Sequence, residues 1–187
     1  MRNKYLAFFI LLFLSFSDSA FASFDLESVK SSWISWTNTE RSLMGSSNLV
    51  QNTILDNTAS EWSEFSKTRG YIDHKRQWQK AYYDYKKIGK WFSDRWVTFK
   101  KIKKVTFSES IWWNTYSCSK DDCTDELKSA VKKTFNFYMK EKWKKYWPHY
   151  KAMIKKEFSQ IWIWIVVDKA KGKYYITVHY WTEVSKK

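Results

Sequence analysis

Three histidines, one cluster of carboxylates, two cysteines and a surplus of lysine are the groups in this chain whose types could do chemistry. His74, His149 and His179 are far apart in sequence and sit among lysines and aromatics. None belongs to a metal-ligating His-Glu-x-x-His pattern, and neither a Gly-x-Ser-x-Gly elbow nor a glycine-rich phosphate loop is present. Each histidine therefore reads as a surface or packed residue. Asp121, Asp122, Asp125 and Glu126 form the one carboxylate cluster. It lacks the alternating spacing and the glycine of a calcium loop, so it reads as a solvated turn leading into a helix N-terminus. No catalytic residue, cofactor or metal is assigned, and a small secreted hydrolase is retained only if folding brings a histidine beside that cluster.

Cys118 and Cys123 are the two cysteines. A lone pair in an exported protein reads as a disulfide, and neither has the neighbouring histidine that a zinc site needs. Export is read from the start of the chain. Arg2 and Lys4 precede an apolar run from Leu6 to Phe16, and Ala20 and Ala22 provide a small-residue cleavage site. The run is too short to span a bilayer, which takes about 20 residues. Residues 1–22 are therefore expected to be a secretory signal removed after Ala22, leaving a single domain over 23–187 in a secreted or periplasmic location.

The formal charge is +14, unevenly spread. Residues 66–105 carry 13 basic and three acidic side chains, and residues 127–158 carry ten basic and two acidic. The intervening segments 23–65 and 106–126 are each net −4. The candidate anion-binding residues are accordingly Lys86, Lys87, Lys90, Lys100, Lys101 and Lys104 in the first block, and Lys140, Lys142, Lys144 and Lys145 in the second. The preponderance of lysine over arginine favours diffuse charge attraction over bidentate readout of phosphate.

Aromatic residues make up 20% of the chain, while Gly and Pro together number five, so long helices and a substantial core are expected. Leu26, Val29, Trp33 and Trp36 form the stripe of a first helix. Val50, Ile54, Trp62 and Phe65 share a face of a second, closed by Gly70. Trp78, Tyr82, Tyr85, Gly89, Phe92, Trp96 and Phe99 recur at steps of four and three. This predicts an aromatic seam on one helix from Asp73 to about Lys104. Residues 105–123 read as irregular, with Ile111-Trp112-Trp113 a short strand. A helix starting at Thr124 carries Leu127, Val131, Phe135, Tyr138 and Trp143, and Pro148 breaks it near Tyr146. Ile161–Val167 and Tyr174–Trp181, joined by a turn containing Gly172, predict a β-hairpin over 161–182. The fold class expected is mainly α, of the α+β kind: a bundle of amphipathic helices with a C-terminal hairpin.

Function is read from surface chemistry. Lysines interleaved with rings, as in Lys140-Glu-Lys-Trp143-Lys-Lys-Tyr-Trp147, suit an anionic membrane interface or an acidic polysaccharide. A host or cell-surface protein is a further partner class, and the signal sequence makes nucleic acid the weakest. The leading expectation is a secreted, non-enzymatic protein attaching to an anionic surface. The alternative is a carrier enclosing a lipid or small apolar ligand. In its lysine-rich helical character, repeated tryptophans and fragments such as Glu61-Trp-Ser-Glu-Phe65, the chain resembles the secreted tryptophan-rich antigens of malaria parasites. The resemblance covers no continuous motif and transfers no site residues. It implies a surface or secreted antigen in contact with host cells.

Overall fold

The computed structural model describes residues 22–53, 56–76, 80–100 and 106–186. Residues 1–21 of the assigned signal, together with Ile54, Trp78, Lys101 and Lys104, lie outside the described residues.

A four-stranded sheet organises the molecule. Strands β4 (Gln160–Asp168) and β5 (Lys173–Trp181) run antiparallel, with Gln160 opposite Trp181 and Asp168 opposite Lys173. Strand β3 (Phe107–Thr115) pairs antiparallel with the other edge of β5, and the short β1 (Val50–Gln51) runs parallel to β4, giving the order β1-β4-β5-β3. The β4–β5 connection closes on Gly172, whose φ of 56° lies in the left-handed region; a Cβ there would stand 3.2 Å from the Tyr116 carbonyl oxygen.

The two central strands are buried on both faces, which explains why Ile161–Val167 is a continuous apolar run without alternation. Successive side chains still point to opposite sides. Ile161, Ile163 and Ile165, with Tyr174, Ile176, Val178 and Tyr180, enter one core. Trp162 and Trp181 enter the other.

Helix α1 (Leu26–Leu43), capped by Asp25 onto the Ser28 amide at 2.9 Å, lays Val29 and Trp33 into the first core. Helix α4 (Thr124–Lys140) contributes Leu127, Val131, Phe135 and Tyr138, and Trp33 meets Phe135 and Tyr138 edge-on at 5.4 and 5.6 Å. Helix α5 (Pro148–Ile154) adds Ala152 and Met153; its proline occupies the first turn, where the missing amide hydrogen is not needed. Across the sheet, α2 (Asp56–Arg69) and α3 (Tyr85–Ser93) cover the second core with Ala59, Ile88 and Phe92.

One buried cation fastens the first layer. Arg41, fully buried in the last turn of α1, donates to the carbonyls of Ser47 (2.7 Å), Met153 (2.7 Å), Lys155 (3.0 Å) and Phe158 (2.8 Å). Burial lowers its pKa, but the guanidinium remains the donor that ties α1 to the α5–β4 connection.

Three expectations are corrected. Helices on both faces of a sheet, rather than a helix bundle, make the core. The helix expected from Asp73 to Lys104 is reduced to Tyr85–Ser93, preceded by a loop and followed by strand β2 (Val97–Phe99), which pairs with β6 (Val184–Lys186). Asp84, not Asp73, caps it, accepting from the amides of Lys86 and Lys87 at 3.0 and 3.1 Å. The seam breaks up with it. Phe92 is fully buried and Phe99 partly so, but Tyr82, Tyr85 and Trp96 are exposed, and Trp96 has a left-handed φ of 63°. Finally, residues 107–115 form a nine-residue strand where only a short strand at Ile111-Trp112-Trp113 was expected in an irregular segment.

Candidate functional site

Strand β3 carries a carboxylate into the second core. Glu109 stands opposite His179 in the β3–β5 register, and its side chain is completely buried. It is met from three directions. His179 Nε2 lies 2.8 Å from Oε2, His74 Nδ1 lies 2.8 Å from Oε1, and Arg76 reaches both oxygens at 3.0 and 2.5 Å. Burial alone would raise the Glu109 pKa, but the Arg76 guanidinium and the two imidazoles override it and hold the carboxyl well below its ordinary range. The His179 pKa is lowered as well, by burial, which Glu109 only partly opposes, so that the acid is held charged and the imidazole neutral. Its Nδ1 is buried without a hydrogen-bond partner, as expected of a neutral ring that donates from Nε2.

A second carboxylate–histidine pair follows α4. Glu141, almost fully buried, accepts from the backbone amides of His149 (2.9 Å) and Tyr150 (3.2 Å), capping the start of α5. Its other oxygen meets His149 Nδ1 at 2.6 Å. The imidazole is stacked on Tyr138 at 4.2 Å and 8°, and burial lowers its pKa against the opposing pull of Glu141.

His74 and His149 line the same cleft, which has a volume of about 580 Å³. Its walls are largely aromatic, built from Tyr82, Tyr83, Tyr85, Phe107, Trp112 and Tyr146, and Tyr85 stacks flat on Phe107 at 4.4 Å. Lys151 and Lys155 also line it. The carboxylate on Nδ1 fixes the orientation of each ring. The cleft thus offers aromatic walls and two histidines held in place by buried glutamates. Among the described residues, no group of three or more His, Cys, Asp or Glu side chains is placed to hold a metal ion.

The sequence-assigned lysines separate into three settings. Lys86, Lys87 and Lys90 lie on α3, with Lys90 paired to Asp94 at 2.7 Å. Lys100 directly follows strand β2 and pairs with Glu183 at 2.9 Å. Lys140, Lys142, Lys144 and Lys145 flank the turn after α4, where Lys142 bonds to Glu40 at 3.1 Å and Lys144 and Lys145 are exposed. Trp143, expected on the apolar side of the helix, is instead 83% exposed, because α4 ends at Lys140 and a 3₁₀ turn at Glu141–Trp143 rotates it outward. Tyr146 is 79% exposed.

The Cys118–Cys123 disulfide is formed, with Cα atoms 5.8 Å apart. The neighbouring carboxylates serve local structure. Asp122 accepts from the Thr124 amide and hydroxyl at 3.0 and 2.6 Å, and Glu126 pairs with Lys120 at 2.6 Å. The histidines instead sit with Glu109 and Glu141. Sequence reading missed both glutamates and Arg76. The one local signal was Glu109 itself, an acid inside a stretch of strand-forming residues.

The fold and cleft define a mixed α+β protein with a central sheet covered on both faces and a histidine-lined aromatic cleft between β3 and α5. No family model matches the chain and no curated protein matches it, so the resemblance to tryptophan-rich antigens rests on composition and short fragments. Solved structures do share the fold. An extracellular protein containing an SCP domain from Bacillus anthracis superposes with a TM-score of 0.57 at 15% identity, over 84% of this chain and 41% of that one. A cysteine-rich secretory protein from Staphylococcus aureus gives 0.53 at 13% identity, over 84% and 39%. An outer surface protein from Borrelia burgdorferi gives 0.58 at 12% identity, over 87% of this chain and 96% of that one. The chain thus spans about two-fifths of the first two proteins and nearly all of the third. At these identities the likeness is one of fold.

Proposed function

We propose that this chain is a secreted, non-enzymatic binding protein that attaches to an anionic membrane surface. The observation that carries the reading is the run Trp143-Lys144-Lys145-Tyr146, four consecutive exposed residues in the turn between α4 and α5. Two large rings held in water have no role in the core. Flanked by lysines, they match the chemistry of a lipid interface, where rings lie at headgroup depth and ammonium groups meet phosphates. Secretion is supported by the signal-like N-terminus, by the disulfide, and by fold neighbours named as extracellular, secretory and outer-surface proteins. The test is flotation with vesicles of mixed anionic and zwitterionic lipid against purely zwitterionic vesicles. Binding to the former alone, weakening as salt rises, supports the reading; equal binding to both contradicts it.

The aromatic cleft favours a second reading, a carrier of a lipid or small apolar ligand, since its volume and wall chemistry fall in the range of small-molecule sites. Displacement of a fluorescent fatty acyl probe, abolished by Ala152→Trp in the cleft wall, would support it; absence of probe binding would contradict it. The hydrolase reading draws no support, because no histidine is paired with the Asp121–Glu126 cluster among the described residues.

A further inference from the structure

A second cleft, separate from the histidine-lined one, opens between α2, the loop at 71–76 and α3. It is walled by an alternating stack of cations and rings. The Arg76 guanidinium lies 3.3 Å from the centre of the Trp62 ring and 4.3 Å from that of Trp91, and the Arg95 guanidinium lies 4.0 Å from the centre of the Trp91 ring. Arg69 sits 4.1 Å from Phe65 and 4.7 Å from Tyr71.

The charges of this stack are not equally neutralised. Arg76 is held by Glu109 and Arg95 by Glu61. Arg69, Lys75 and Lys87 line the cleft without an acidic partner among the described residues. Six cations in the lining face two carboxylates, Glu61 and Asp94. Arg69 is the most telling of them. Rings clamp its guanidinium in place, and its Nε and Nη2 are sheltered from solvent with no hydrogen-bond acceptor. Its charge has no acidic partner among the described residues, and the strongest partner for a guanidinium is an oxyanion. Beside it, Phe65 and Tyr71 are 45% and 53% exposed, so two ring faces border the same opening.

We propose that this cleft is a binding site for a sulfated polysaccharide, with sulfate groups on Arg69, Lys75 and Lys87 and a sugar ring against Phe65 or Tyr71. An acidic peptide would use the cations but not the exposed rings, whereas a sulfated sugar uses both. The cleft has a volume of about 760 Å³ and is open, as a polymer that enters and leaves along its length requires. This site is independent of the membrane-facing turn at residues 143–146 and stands or falls separately from it.

The experiment titrates the full chain with a heparin-type sulfated polysaccharide, the same polymer after desulfation, and polyglutamate. Arg69→Gln combined with Lys75→Gln and Lys87→Gln should weaken sulfated-polymer binding at least tenfold and flatten its salt dependence. The Lys75→Gln, Lys87→Gln double variant alters two exposed side chains only and should give a smaller loss, which keeps the test valid if the triple variant folds poorly. Phe65→Ser with Tyr71→Ser should weaken binding without changing the salt dependence. Flotation with anionic vesicles should be unaffected by the Phe65→Ser, Tyr71→Ser variant, which changes no charge. Unchanged binding in the double and triple variants, or equal affinity for polyglutamate and the sulfated polymer with no loss in the ring variant, would overturn the assignment.

Discussion

Glu109 and His179 face each other across the β3–β5 pairing, 2.8 Å apart, with neither side chain exposed to solvent. The pair is locked by residues from a loop outside the sheet, since His74 and Arg76 bond to the same carboxylate. This network fastens the loop at 71–76 to the sheet and so places walls of both clefts: His74 on one side, Arg76 on the other. Removing the charge should therefore be severe. Glu109→Gln removes the buried charge that meets Arg76 and both imidazoles, a loss of about 3–5 kcal/mol. Urea unfolding measures it, and a midpoint equal to that of the parent would contradict the role given to the network.

Acid should destabilise the protein in two stages. His179 and His149 have folded pKa values lowered by burial below the ordinary 6.5, so the unfolded chain takes up their protons first. Their contribution is complete above about pH 6.5 and is lost as pH falls toward the folded values. Glu109, held well below its ordinary 4.5, contributes above that value and loses its contribution as pH drops further. The urea midpoint should thus be flat near neutrality and fall on acidification. A midpoint that rises between pH 7 and pH 5 would contradict this sign.

Much of the scaffold is legible in the sequence, for physical reasons that differ by element. Thr124 and the acids after it mark the start of α4, Pro148 marks a break, and the aromatic and β-branched runs mark β4 and β5, because each signal is local. The segment from Asp73 to Lys104 is not. Its rings fall at helical spacing, but they belong to a loop, a nine-residue helix and a strand, and Trp96 turns the chain with a positive φ. Strand β3 was obscured by Ser108, Glu109, Ser110 and Asn114, polar residues at odds with a buried strand. Glu109 is tolerated there only because His74, Arg76 and His179 meet it. The candidate cleft was hidden for the same reason: its glutamates act on histidines through contacts that chain order does not show.

The broken seam predicts unequal effects of two aromatic truncations. Phe92 is fully buried against Phe107, His179 and Trp181, so Phe92→Ala should cost about 3–5 kcal/mol. Trp96 is 70% exposed in a left-handed conformation, so Trp96→Gly should be neutral or stabilising by up to about 1 kcal/mol. Thermal melting of the two variants checks the contrast; equal losses would restore the continuous helix.

Arg41 should be intolerant of a change that keeps its bulk and removes its donors. Arg41→Met leaves the carbonyls of Ser47, Met153, Lys155 and Phe158 without that guanidinium, and at about 1–3 kcal/mol for each unsatisfied group the loss should be at least about 3 kcal/mol. Cys118→Ser, in contrast, opens only a six-residue ring and should fall at or below the low end of the ~2–4 kcal/mol range. Denaturant midpoints that rank these two in the opposite order would contradict the weight given to the buried arginine.

The membrane reading is tested most directly at Trp143 and Tyr146. Both rings are exposed, so Trp143→Ser with Tyr146→Ser should leave the melting temperature unchanged. Partitioning onto anionic vesicles should weaken at least tenfold, the equivalent of about 1.4 kcal/mol. Adding Lys144→Glu and Lys145→Glu should remove about 1 kcal/mol more for each lysine that reaches the surface. An undiminished partition coefficient for the double-serine variant, measured at the same salt and lipid composition, would show that this turn is not the membrane contact.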